Sequence, residues 1–208
     1  MCPSRSVGPT NPPTRRAFLH SLAATSLALA TKSFAQASAS QNPVTPNSDH
    51  GRIKPPVAVP DVPLLQSDGR KTSLAALTLG HATAVQLMFT TCTTTCPIQA
   101  AIFQHVQSML PDMAARKIQL LSLSVDPEDD NAPALAAWRR RFHAGQEWIA
   151  AAPAAASNAD IQSFFGRANG AFADHSTQVN IVDRHGRLVW RTNELPAAEE
   201  IASILRRV

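Results

Sequence analysis

In Phe89-Thr-Thr-Cys92-Thr-Thr-Thr-Cys96-Pro97 an apolar run gives way to a helical one, with two thiols at the join. Residues 83–89 are apolar on both parities, as a strand buried on both faces of a sheet should be. Pro97 suits the first turn of a helix. After it, Ile98, Ala101, Ile102, His105, Val106, Met109 and Leu110 recur at helical spacing until Pro111 ends the pattern. His105 then falls on the apolar face, where a lone histidine is more often a satisfied core residue than a ligand. Three residues between the cysteines let both sulfurs converge on one soft ion, or close into a disulfide when oxidised. A bridge across so short a loop constrains the unfolded chain very little. The pair therefore reads as chemistry before scaffold, and a helix start favours thiolate over thiol.

Moving outward, residues 118–125 form a second buried strand. It is followed by Asp126-Pro127-Glu128-Asp129-Asp130-Asn131, with Pro133 just inside the next helix. Asp130 or Asn131 serves as the cap, and Glu128 and Asp129 favour the first turn. Asp126 is left with no local duty at the C-terminal end of a strand, where α/β sheets place ligands. Residues 134–142 continue as a helix bearing Arg139, Arg140 and Arg141, most simply a solvated face. A short strand at 148–150 and a short helix at 160–165 come next, and Gly166 and Gly170 mark turns. His175 precedes a hairpin made of strand 177–182, a turn at 183–186 and strand 188–191. A helix over 196–206 closes the chain. Upstream, residues 59–65, the turn Ser67-Asp68-Gly69-Arg70 and residues 72–77 give an entry hairpin, or a strand followed by a helical turn.

The 208 residues suffice for one domain plus a leader. Thr14-Arg15-Arg16-Ala17-Phe18-Leu19 is a twin-arginine pattern. Residues 22–30 after it are modestly apolar and too few for a membrane span, and Ala35-Gln36-Ala37 offers a cleavage site. The expected division is a signal peptide over 1–37, a Ser-, Asn- and Pro-rich linker over 38–55, and a folded domain over 56–208. Cys2 leaves with the leader, so Cys92 and Cys96 are the cysteines of the mature chain. The formal charge of +4 owes everything to Arg5, Arg15, Arg16 and Lys32; without those four, 15 basic residues face 15 acidic ones. A balanced chain carries no electrostatic footprint for nucleic acid. The expected location is the bacterial periplasm, reached by twin-arginine export, with membrane contact only through a partner or an uncleaved leader.

The order of elements is strand, cysteine loop, helix, strand, helix, hairpin, helix. This is an α/β, thioredoxin-like arrangement with a central mixed sheet flanked by helices, and in it the loop entering the hairpin packs beside the cysteine loop. Phe89-x-x-Cys92-x-x-x-Cys96-Pro97, Ser124-Val125-Asp126-Pro127-x-x-Asp130, Asp174-His175-Ser176 and Val182-Asp183 with Gly186-Arg187 together resemble the SCO/SenC family over about residues 56–207. That resemblance implies a thioredoxin-fold copper chaperone of cytochrome c oxidase assembly, delivering copper to the CuA site. Cys92 and Cys96 match the copper thiolates, His175 the third ligand, and Asp126 an acid close to the site without ligating. Thr91 stands where an aromatic residue is frequent in the family. Two thiolates and an imidazole suit Cu(I), and the imidazole also supports Cu(II). The implied partners are a copper-accepting oxidase subunit or another periplasmic copper protein, and a thiol-disulfide reductant. The main rival is a thiol-disulfide reductase built on the same pair. A peroxidase is a third reading, from Thr93-x-x-Cys96, but the proline of that motif would fall on Phe89.

Overall fold

The computed structural model describes residues 50–165 and 176–208. Among these, eight strands form one mixed sheet in the order β1-β8-β7-β4-β5-β6-β2-β3. Its centre is β4 (Ala82–Met88) beside β5 (Ile118–Ser124), paired in parallel from Ala82↔Ile118 to Met88↔Ser124. Every residue of both strands is buried, which their continuous apolar character required. On one side β5 pairs in parallel with β6 (Trp148–Pro153). On the other, β4 pairs antiparallel with β7 (Asn180–Val182), which turns back into β8 (Arg187–Arg191). The hairpin is therefore as expected. Gly186 holds φ at +69°, the left-handed geometry its turn demands. The entry segment satisfies both readings at once, since β2 (Pro63–Gln66) and β3 (Lys71–Ser73) form a hairpin that runs into helix α1 (Leu74–Thr78).

Alternation along the central strands gives the sheet two apolar faces. Ala84, Met88, Leu120 and Trp148 face α2 (Thr95–Met109), α3 (Ala132–Arg141) and α5 (Ala198–Leu205). Val85, Leu87, Leu121 and Leu123 face α1 and α4 (Asn158–Phe164). Both cysteines belong to the first core, under α2. No helix among the described residues is long and apolar enough to cross a membrane.

Three local expectations are corrected. The buried face of α2 is Cys96, Gln99, Ala100, Phe103 and Val106, while Ile98 is 52% exposed and His105 is exposed. The helix begins two residues before Pro97, and Gln99 is an inward polar residue that an apolar count skips. Strand β1 (Gly51–Ala58) occupies ground read as linker, pairing antiparallel with β8 at the sheet edge. Most of its residues are exposed, so it carries no apolar period to betray it. In the acidic run, Asn131 alone caps α3, accepting from the Ala134 N–H at 3.1 Å. Glu128 and Asp129 lie ahead of that helix, whose first turn holds no acid.

Candidate metal centre

The parallel strands β4 and β5 end side by side, with the Val125 N–H donating to the Met88 carbonyl at 2.9 Å. The chain leaves β4 through a turn in which the Cys92 N–H bonds the Phe89 carbonyl at 3.2 Å, and then enters α2. Thr94, at the helix-capping position, makes no side-chain cap bond. The Cys92 sulfur takes that place: it accepts the Cys96 N–H at 3.4 Å, with the Thr94 hydroxyl 3.9 Å away. Cys92 and Cys96 are thus brought together as expected, both buried, at 5% and 0% exposure, and both reduced.

Their surroundings split the two thiols. Burial pushes both up. At Cys92 this is outweighed by hydrogen bonds from the Cys96 thiol, the Cys96 and Thr94 N–H groups and the Thr94 hydroxyl, which bring it from 9.0 to about 7. Cys96 is driven well above the thiol range by burial, then by holding its proton toward Cys92 and by the charge there. Cys92 is therefore the thiol that ionises near neutral pH and Cys96 the one that keeps its proton, which a soft cation held by both sulfurs would displace.

Asp126 follows β5 at the same sheet end, half-buried, with its N–H on the Ser124 hydroxyl at 2.9 Å. Burial, then the charges of Asp129, Asp130 and Glu128, raise its carboxyl above the ordinary range. Among the described residues no three His, Cys, Asp or Glu side chains gather as a ligand set. His175 lies outside the described residues. The chain just after it is held by Glu194, which accepts from the Ser176 hydroxyl at 2.7 Å and from the Thr177 N–H at 2.5 Å.

The residue that sequence reasoning missed is Asp130. It is buried, at 1% exposure, and caps nothing. It accepts the Thr90 N–H at 3.1 Å, the Thr90 hydroxyl at 2.5 Å and the Ser124 hydroxyl at 2.6 Å. The carboxylate ties the base of the cysteine loop to the end of β5. The signal available in the sequence was a pair of hydroxyl residues, Ser124 ending one buried strand and Thr90 two residues beyond the end of the other.

Comparison with known proteins now has a site to bear on. The SCO1/SenC family model matches residues 57–208. The chain belongs to the SCO1/SenC family. Among solved structures, the SCO1/SenC family lipoprotein of Bacillus anthracis is 22% identical at a TM-score of 0.62, covering 74% of this chain and 98% of that one. ScoI of Bradyrhizobium japonicum with copper bound is 21% identical at 0.61, covering 73% and 99%. BsSco, a member of the Sco family of cytochrome c oxidase assembly proteins in which a disulfide switch was identified, is 22% identical at 0.59, covering 75% and 96%. No curated protein matches the chain. At these identities the likeness to the SCO structures carries the fold: the mixed sheet flanked by helices is theirs.

Proposed function

We propose that this protein is an exported chaperone that carries copper on Cys92, Cys96 and His175 and delivers it to the CuA site of cytochrome c oxidase. The observation that carries the reading is the buried cysteine pair at the start of α2, its Cys92 sulfur accepting the Cys96 N–H at 3.4 Å. Soft donors in a shielded site suit Cu(I), and two sulfurs with one nitrogen leave room for an acceptor's thiolates to attach before the donor's leave. The place of His175 as third ligand is supported by register. The antiparallel pairs Thr83↔Val182 and Val85↔Asn180 run the chain before β7 toward the end of β4 that bears the cysteines. Copper on a family member of the same fold supports the cargo. The leader over 1–37 supports periplasmic delivery by the twin-arginine route.

The test is copper stoichiometry and X-ray absorption of the mature chain. One Cu(I) per chain is expected, lost on Cys92→Ala or Cys96→Ala. His175→Ala should weaken Cu(I) less, since two thiolates hold it in linear geometry, and impair Cu(II) more, since that ion prefers nitrogen. Full copper binding by the double cysteine variant would defeat the assignment, as would a His175→Ala protein equal to wild type in both oxidation states.

The split of the two thiols favours a second reading, a thiol-disulfide reductase that keeps acceptor cysteines ready for metal. In it, the Cys92 thiolate attacks one sulfur of an acceptor disulfide and expels the other as thiolate. Cys96 then loses its proton, attacks the Cys92 sulfur and releases the reduced acceptor, leaving a Cys92–Cys96 disulfide. Turnover of an acceptor disulfide at undiminished rate by His175→Ala would make this the working function.

A further inference from the structure

Gln99 is 1% exposed, and neither its side-chain Nε2 nor its Oε1 has a hydrogen-bond partner. Other buried amides fare better. Gln86 donates to Ser122 at 2.7 Å, and Gln119 to the Leu77 carbonyl at 2.8 Å and to Thr83 at 3.0 Å. A carboxamide cut off from water with both ends unmatched is a standing cost, and an apolar side chain of the same length would remove it. Such a group calls for a partner that arrives later.

Its position says which. Gln99 and Cys96 are one turn apart on the same buried face of α2. Side chains on a helix sweep back toward its N-terminus, so residue i+3 lies over the turn that bears residue i. The reach of a glutamine covers the five to six ångströms, roughly, between such Cβ positions. We propose that Gln99 is a copper-site residue whose Nε2–H donates to the Cys96 sulfur when that sulfur carries Cu(I). This rests on the copper reading above. Cys96 is the deeper of the two thiols, where a charged sulfur gains most from a fixed donor.

The proposal requires two effects of opposite sign. Gln99→Met keeps the length and removes the amide, so the copper-free reduced protein should melt at a higher temperature than wild type. The same variant should hold Cu(I) about tenfold more weakly in competition with a chromophoric Cu(I) chelator, the loss expected for one hydrogen bond to a charged acceptor. Its sulfur-edge spectrum should shift in the Cu(I) form. Gln99→Asn keeps an amide that falls short and should lose affinity likewise, so that a folding failure in either variant leaves the other to decide. Wild-type affinity and an unchanged sulfur edge in the variants would overturn the proposal while leaving the copper reading intact. A lower melting temperature for copper-free Gln99→Met would overturn it too, by revealing a structural partner in the apo fold. Wild-type protein that binds no Cu(I) would overturn both.

Discussion

A sulfur does at the start of α2 what a serine or aspartate oxygen usually does, and that substitution sets the chemistry of Cys92. Accepting the Cys96 N–H stabilises negative charge on Cys92, and the thiol of Cys96 adds a second bond at the expense of its own ionisation. Titration of the reduced, metal-free mature chain, followed by ultraviolet thiolate absorbance, should show one thiolate forming with a midpoint near 7. The second should stay protonated through the range in which the protein remains folded. In sign, Cys92 is anionic above its lowered value and neutral below it. Cys92→Ser should abolish the first step, and Cys96→Ala should move its midpoint upward by removing the thiol donor. Two equal thiols titrating near the ordinary value would contradict the split. At this scale the thiols were legible in the sequence because their spacing on a strand-to-helix join is itself the signal. Gln99 and Asp130 were not legible, because a glutamine in a helix and an aspartate before one have ordinary surface readings. Only burial separates the two.

Between elements, the cysteine loop is held from outside itself. Asp130 takes three donors from Thr90 and Ser124, so the end of β4, the end of β5 and the approach to α3 share one buried carboxylate. Asp130→Asn turns part of that acceptor into a donor facing donors, and should cost about 2–3 kcal/mol in urea unfolding. Faster hydrogen exchange at the Thr90 amide should accompany it. Unchanged exchange there would mean that the loop holds its shape without the clamp. The β7–β8 hairpin has a similar device at its tip. Asp183 accepts the His185 and Arg187 N–H groups at 2.9 and 3.0 Å and the Arg187 guanidinium at 2.7 Å. Burial works against its charge, but the Arg187 side chain, then the two N–H groups, hold its carboxyl below the ordinary range. A depressed carboxylate stabilises the fold above its unfolded value, and that contribution is lost as pH falls through the folded one. Asp183→Asn should therefore lower stability at neutral pH and flatten the acid side of the stability profile; a profile parallel to wild type would rule this out. The central strands, α2 and this hairpin could be read from sequence because burial on both faces, or a tight turn, leaves a pattern. Strand β1 left none: it adds backbone hydrogen bonds to an edge and buries little.

Over the whole chain, the charge is unevenly placed. Four basic residues and no acids lie within 1–37, while the remainder balances 15 against 15. A folded part without net charge and with an ordinary buried core can fold before export, which is what the twin-arginine route carries. It would also leave the cytosol with Cys92 and Cys96 reduced, the state in which a soft cation can be taken up. On the proposed export route Arg15-Arg16 is the signal that the translocase reads. Replacing both with lysine keeps the charge and removes the guanidinium pair, so the precursor should accumulate in the cytoplasm at full length. Cells lacking the twin-arginine translocase should retain the wild-type precursor in the same way. Fractionation with an antibody to the folded domain reads both experiments. Mature protein reaching the periplasm undiminished in the translocase-deficient cells would assign the leader to the general secretory route. The chain would then cross unfolded and acquire both its fold and its copper outside.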